Sequence, residues 1–315
     1  MTRRPNLFIV GAPKSGTTSL YDYLHGHSDV FMSPIKEPIY FAPDMQAGFK
    51  HRFRHGEDEK EYLALFDGAH DERYVGEAST RYLASPMAPA LIREFAPDAR
   101  IVAMLRNPVD MVYALHNERV SQQAEDVTDF EAAIALDHER REGRRLPRGS
   151  NALGAVYRDN AMFGAQLMRW LDTLGRDHVY VIIFDDFARD TAAEFRRLLD
   201  YLGIDPSYRP PQFAVVNKSH RSRGGLARAL FASPVAHVVR HSVMPAVIGE
   251  DNAARAARRL RHSRINRRAN PRPPLDREFR RRLEREFEAD VAVLSRLVDR
   301  DLSSEWLGKP VAAPA

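Results

Sequence analysis

The chain has 315 residues, 44% of them hydrophobic, with 16 Phe, 11 Tyr, 2 Trp and no Cys. That composition supports a sizeable core and excludes a disordered chain, and the lack of Cys excludes disulfides, Cys-ligated metals and a Cys nucleophile. The formal net charge is only +4, yet 13 Arg fall between Arg255 and Arg285 against Asp276, Glu278 and Glu284.

No apolar run reaches the length of a membrane span, and the basic N-terminus leads into a short apolar run and then a Gly-rich turn, not a signal peptide. A reducing, cytoplasmic location is the expectation. The Arg-rich stretch has no aromatic interleaving and no nucleic-acid motif, so it reads as a solvated basic face. It offers peripheral contact with an anionic surface and predicts no nucleic-acid partner.

Taken in chain order, Leu7–Val10 predicts a short strand, residues 11–16 a Gly-rich turn, and the spacing of Leu20, Tyr23 and Leu24 a helix from Thr17. Val30–Met32 reads as a second strand, Ser33–Pro38 as a loop, and 43–60 as polar and irregular. Tyr62–Phe66 predicts a short helix, Tyr74–Glu77 a strand end, and Pro89–Phe95 a helix. Ile101–Leu105 is uniformly apolar, as in a strand buried on both faces, and Asn107-Pro108 opens the next helix.

Residues 121–152 read as one helix and a polar loop, 160–174 as an amphipathic helix, 179–184 as a buried strand, and 190–202 as a helix closed by Gly203. Leu275, Phe279, Leu283, Phe287 and Val291 recur every four residues, which predicts a long final helix. Strands alternating with helices imply an α/β fold, a parallel sheet flanked by helices. A single domain is expected, with a core over about 5–225 and a helical C-terminal region over about 226–310.

Gly11–Thr18 reads GAPKSGTT. Between a strand and a helix, such a turn presents backbone N–H groups and the positive end of the helix dipole to an anion. Lys14 adds a full charge, and Ser15, Gly16, Thr17 and Thr18 complete the cradle. The pattern departs from the nucleotide-triphosphatase loop G-x-x-x-x-G-K-[ST]: Thr17 stands where that Lys belongs, and the Lys has moved to position 14. Asp185-Asp186 is the one pair placed to hold magnesium after a buried strand.

The stretch LFIVGAPKSGTTSLYDYL resembles the 5′-phosphosulfate loop of the sulfotransferases that use 3′-phosphoadenosine 5′-phosphosulfate (PAPS), in their bacterial and heparan-type branch. SPIKEPIYF (33–41), YVGEASTRYL (74–83), IVAMLRNPVD (101–110), VYVIIFDDF (179–187), NKSHRSRGG (217–225) and the tail around 287–306 support the resemblance. It implies a P-loop nucleotide-kinase-like fold, PAPS as donor and adenosine 3′,5′-bisphosphate (PAP) as product; the 12 His are scattered without ligand spacing, so no metal is expected. The acceptor that the resemblance implies is a hydroxyl or amine of a small molecule or glycan.

Residue by residue, the resemblance implies that Lys14 stabilises the leaving bridging oxygen and Arg106 grips the 3′-phosphate. The family's Ser eight residues after that Arg is Ala114 here, so Lys218, Ser219, Arg221, Arg223 and Gly224 are the compensating candidates. Lys36-Glu37 resembles the family's Lys-Glu pair, with Glu37 as general base and Lys36 beside the sulfuryl oxygens. The His often found two residues later is Ile39. His116 is a second candidate base, with Asn117 beside it, and Glu77 resembles a position near the acceptor. The irregular segments 43–60 and 121–152 are expected to touch the acceptor. Two other readings stay open: a P-loop kinase or NTPase, and a non-catalytic anion-binding protein.

Overall fold

The computed structural model describes residues 3–46, 53–147, 149–211, 213, 221–222, 267–268 and 274–308. The chain divides into two compact units, Met1–Val216 together with Leu275–Ala315, and Asn217–Pro274. The first unit opens with strand β1 (Leu7–Gly11), helix α1 (Thr17–Leu24) and strand β2 (Val30–Met32). It continues through α2 (Glu59–Leu63), β3 (Tyr74–Ala78), α3 (Ala88–Phe95), β4 (Arg100–Leu105) and α4 (Pro108–Ser121). Three short helices follow, α5 (Phe130–Ala135), α6 (Asp137–Arg141) and α7 (Ala152–Ala155), then α8 (Phe163–Leu174), β5 (Val179–Ile183), α9 (Phe184–Arg189) and α10 (Thr191–Leu202).

In the second unit the described backbone is a short antiparallel ladder, β6 (Arg221–Ser222) against β7 (Arg267–Arg268), with Arg221 opposite Arg268. The chain then returns to the first unit as α11 (Arg277–Leu297) and α12 (Leu302–Leu307). Among the described residues, no helix is long and apolar enough to cross a membrane.

The five strands pair in parallel in the order β2-β3-β1-β4-β5, which puts β1 at the centre. Side chains alternate across a strand, so β1 feeds two cores at once. Phe8 and Val10 join the cluster under α3, α4, α8 and α11, whereas Leu7 and Ile9 join the one under α1 and α10. β1 is fully buried, as a central parallel strand must be. A parallel strand order with helices on both faces matches the fold expected from the alternating pattern.

The four-residue repeat lands in α11, where Phe279, Leu283, Phe287 and Val291 are all buried, whereas Leu275 precedes the helix and is half-buried, and α12 follows as a further short helix. Burying each such side chain contributes about 1.5–3 kcal/mol. The helix also caps another. Asp290, itself buried, accepts from the N–H groups of Gly164 (2.8 Å) and Ala165 (2.9 Å) at the start of α8. That cap explains why α8 begins at Phe163 and not at 160.

Three further boundaries differ from the sequence reading. The strand over 179–184 stops at Ile183, because Phe184 already opens α9. Residues 121–152 hold two short helices, α5 and α6, that meet at Leu136, with α7 starting only at Ala152, and a fully buried ion pair joins Arg140 of α6 to Glu125 ahead of α5 (2.9 Å). The described part of 43–60 is not wholly irregular, since Pro43–Met45 makes a 3-10 turn whose Asp44 side chain accepts from Ser85 Oγ (2.7 Å).

Candidate active site

The Gly-rich turn sits between β1 and α1, at the carboxyl edge of the sheet where open α/β folds place ligands. Two glycines make it possible. A Cβ on Gly11 would lie 2.7 Å from Leu83 Cβ and 2.9 Å from the Thr80 carbonyl, so the loop packs directly on the segment after β3. Gly16 is the N-cap of α1 in the left-handed region (φ 90°), and a side chain there would press on Met104 and Phe184. The N–H groups of Thr17 and Thr18 fall in the first helical turn, where the helix itself offers no acceptor. Ser15 is fully buried, and its hydroxyl lies 3.4 Å from the Pro13 carbonyl.

Lys14 points its Nζ at Glu118 Oε1 of α4, 3.0 Å away. Its carbonyl accepts from the Arg106 guanidinium at 3.2 Å. Arg106, at the end of β4, stacks 4.7 Å over the Phe184 ring. Burial lowers its pKa, and the charges of Asp110 and Asp185 act in the opposite direction. The next residue, Asn107, caps α4 by accepting from the N–H groups of Val109 and Asp110, which fixes the turn carrying Arg106.

On the other side of the loop, Lys36 Nζ lies 3.4 Å from Thr17 Oγ1 and 3.0 Å from Glu37 Oε1. Thr80 holds the Glu37 carboxylate twice, by its N–H (2.9 Å) and by its hydroxyl (3.1 Å). Glu37 and Ile39 both have positive φ, 62° and 56°. Such backbone costs on the order of 1–3 kcal/mol per residue and persists only where its surroundings impose it. Here the Glu37 N–H donates to the Ala78 carbonyl (2.8 Å), and the Ile39 N–H donates to Ser79 Oγ (3.0 Å).

The structure thus brings Lys14, Ser15, Gly16, Thr17, Lys36, Glu37 and Arg106 to one rim, with Thr18 on the first turn of α1. Lys218, Ser219, Arg223 and Gly224 lie outside the described residues, and for Arg221 only the backbone pairing of β6 is described. Ala114 is fully buried, a packing position on α4.

His116 does not open into the cleft as the sequence suggested. Only 2% of it is exposed, its Nε2 meets the Val127 carbonyl at 2.9 Å, and its ring lies against Phe130 and Tyr157. Burial lowers its pKa, which keeps the imidazole neutral and packed. Glu77 is likewise fully buried, on β3.

Nor are the acids after β5 arranged as magnesium ligands. Asp185 accepts from Trp306 Nε1 (2.8 Å), and Asp186 is ion-paired with Arg300 and Arg189. Two arginines of α11 also have acidic partners: Arg280 pairs with Asp110 and Glu284, and Arg282 with Glu131.

Glu118 and Thr80 at this rim escaped the sequence reading, as did Arg81 and Arg119. Glu118 is 104 positions from the Lys14 that it pairs with, and no spacing connects them. Thr80 stood in the quoted YVGEASTRYL stretch, unassigned. Arg81 and Arg119 converge on Gly154. Arg81 NH1 is 3.4 Å from where a Cβ on that residue would stand, and Arg119 NH2 donates to its carbonyl at 2.6 Å. Burial and the neighbouring Arg119 charge bring the Arg81 pKa down to about 10, against the pull of Glu37.

Comparison with known proteins bears on the same elements. A family model described as the sulfotransferase family matches residues 5–208, which contain the sheet, the loop, the Lys-Glu pair and Arg106. A crystal structure of a sulfotransferase from Alicyclobacillus acidocaldarius superposes with a TM-score of 0.69 and 30% identity, covering 96% of this chain and 99% of that one. Human carbohydrate sulfotransferase 15 is 26% identical over 269 residues, 69% of this chain and 47% of its own length. Human heparan sulfate glucosamine 3-O-sulfotransferase 6 is 25% identical over 202 residues, 64% of this chain and 53% of its own length. The chain therefore spans about half the length of the curated relatives it matches. With the family model covering most of the sheet-bearing unit, the chain belongs to the sulfotransferase family.

Proposed function

We propose that this protein transfers a sulfuryl group from PAPS to a hydroxyl of a carbohydrate acceptor by in-line displacement, with Glu37 as general base. The observation that carries the reading is the join between two halves of the rim. Lys36 reaches both Thr17 of the phosphate loop and Glu37, while Thr80 orients the Glu37 carboxylate. A base and an anion cradle are thereby held a few ångströms apart, as transfer between a bound anion and an attacking hydroxyl demands.

Three cations, Lys14, Lys36 and Arg106, surround a helix N-terminus, and that set fits a donor with phosphate at both ends of its ribose. PAPS supplies the transferable sulfuryl group on a phosphate leaving group. Glu37 takes the acceptor hydroxyl proton as the oxygen attacks sulfur. Lys14 neutralises the charge that builds on the bridging oxygen as its bond to sulfur breaks, and Lys36 faces the equatorial oxygens. Arg106 orients the far phosphate. A carbohydrate acceptor is supported by the relatives, whose names describe carbohydrate and heparan sulfate sulfation.

The test is transfer from sulfur-35-labelled PAPS to a panel of carbohydrate acceptors, heparan sulfate and chondroitin oligosaccharides included, with wild type and Glu37→Gln side by side. Labelled product from wild type, reduced about 10²–10⁴-fold in Glu37→Gln, supports the reading. Equal labelling by both would remove Glu37 as the base.

A further inference from the structure

Behind the Lys-Glu segment lies a carboxylate that the transfer itself does not use. Glu77 accepts three hydroxyl hydrogen bonds. Tyr62 (3.0 Å) and Tyr82 (2.6 Å) donate to Oε1, and Ser79 (2.7 Å) donates to Oε2. Each hydroxyl has one proton to give. Ser79 and Tyr82 give theirs to Glu77 and so turn their lone pairs toward the neighbouring segment. There Ser79 Oγ accepts the Ile39 N–H at 3.0 Å, and Tyr82 Oη accepts the Phe41 N–H at 3.2 Å. The backbone they grip is the positive-φ stretch that carries Glu37, and Thr80, next to Ser79, holds the Glu37 carboxylate itself. A β-branched residue such as Ile39 adopts positive φ only when it is held there.

We propose that Glu77 is a positioning residue for Glu37: its carboxylate fixes the direction of the Ser79 and Tyr82 hydroxyls, and through them the backbone that aims the base. The inference rests on the reading of Glu37 as that base. It demands a carboxylate and not merely a polar side chain. A glutamine has a single acceptor oxygen, so one of the three hydroxyls would meet an N–H and lose its acceptor or reverse its direction.

The experiment compares wild type, Glu77→Gln and Ser79→Ala, each as the full chain, by amide hydrogen exchange at pH 8. Ser79→Ala deletes a single hydroxyl and so keeps the test open if Glu77→Gln folds poorly. In both variants protection at Ile39 and Thr80 should fall about tenfold or more, while Ile101 in the neighbouring strand β4 keeps its protection. With an acceptor from the labelling panel, turnover should drop with the donor KM unchanged, a split that general loosening of the fold would not give. Unchanged protection at Ile39 and Thr80, or an equal loss at Ile101, would overturn the proposal. Glu37→Gln, run in parallel, separates the two ideas. Full turnover in that variant fails the base assignment, whereas a dead Glu37→Gln beside an unaltered Ser79→Ala and Glu77→Gln fails only the positioning role.

Discussion

The Arg106 guanidinium donates to the Lys14 carbonyl at 3.2 Å, so the end of β4 and the anion loop after β1 are fastened to each other across the centre of the sheet. The same guanidinium stacks on Phe184 at the start of α9. Its position is therefore set by three elements, and the loop conformation depends on it.

Replacing Arg106 by Lys should accordingly cost more than a conserved charge suggests. A lysine keeps the charge but loses the planar fork and the ring stacking. PAP affinity is expected to fall about 10–100-fold, from the loss of about 1.5–3 kcal/mol of charge-assisted hydrogen bonding. Isothermal titration with PAP measures this directly. Affinity within twofold of wild type would show that Arg106 serves the loop alone.

Glu118 places a negative charge 3.0 Å from the Lys14 ammonium, on a side of the loop where an anion is proposed to bind. Glu118→Gln removes that competing charge. The pair is partly exposed, so the effect is modest: PAP should bind about two- to fivefold tighter, in line with the small energies of solvent-screened pairs. The gain should shrink as salt is raised. Weaker binding in this variant would mean that Glu118 orders Lys14 instead of competing for it.

Burial raises the Glu77 carboxyl to about 7, the hydroxyl donors and the nearby Glu37 charge contributing in opposite directions. The folded chain holds this proton to higher pH than the unfolded chain does, so the stability it contributes is present at low pH and lost as pH rises through about 7. Urea unfolding of wild type should therefore lose about 3 kcal/mol relative to Glu77→Gln between pH 4.5 and 8. Parallel pH profiles for the two proteins would contradict the shifted carboxyl.

Trp306 ties the C-terminal tail to the site's foundations. Its indole N–H donates to Asp185 after β5, and its carbonyl accepts from Asn107, the residue beside Arg106. Trp306→Ala should destabilise the fold by about 3–5 kcal/mol in urea titration, through lost burial and a carboxylate left without its donor. A loss under about 1 kcal/mol would indicate that the tail contributes little.

Much of this architecture was legible in the sequence. The apolar run over 101–105, the Gly-rich turn and the four-residue repeat from Phe279 each obey a local period, and local periods survive folding intact. The site was half legible for the same reason. Lys14, Lys36, Glu37 and Arg106 stand in short motifs, whereas Glu118, Thr80 and Arg119 matter through partners far away in the chain. His116 shows the opposite error. A titratable side chain after a conspicuous motif invited a functional reading, but packing against Phe130 and Tyr157 decided its place. Helix starts such as that of α8 depended on Asp290, 126 residues from the Gly164 that it caps, and no local signal carries that information.

The shifted lysine and the arginine at the end of β4 are proposed to hold opposite ends of one adenosine bisphosphate. A crystal structure of the full chain with PAP tests it most directly. The 5′-phosphate should lie in the turn over residues 14–18 with Lys14 Nζ on its oxygens, and the 3′-phosphate should lie against the Arg106 guanidinium. PAP bound elsewhere, or bound with neither side chain touching a phosphate, would contradict the account.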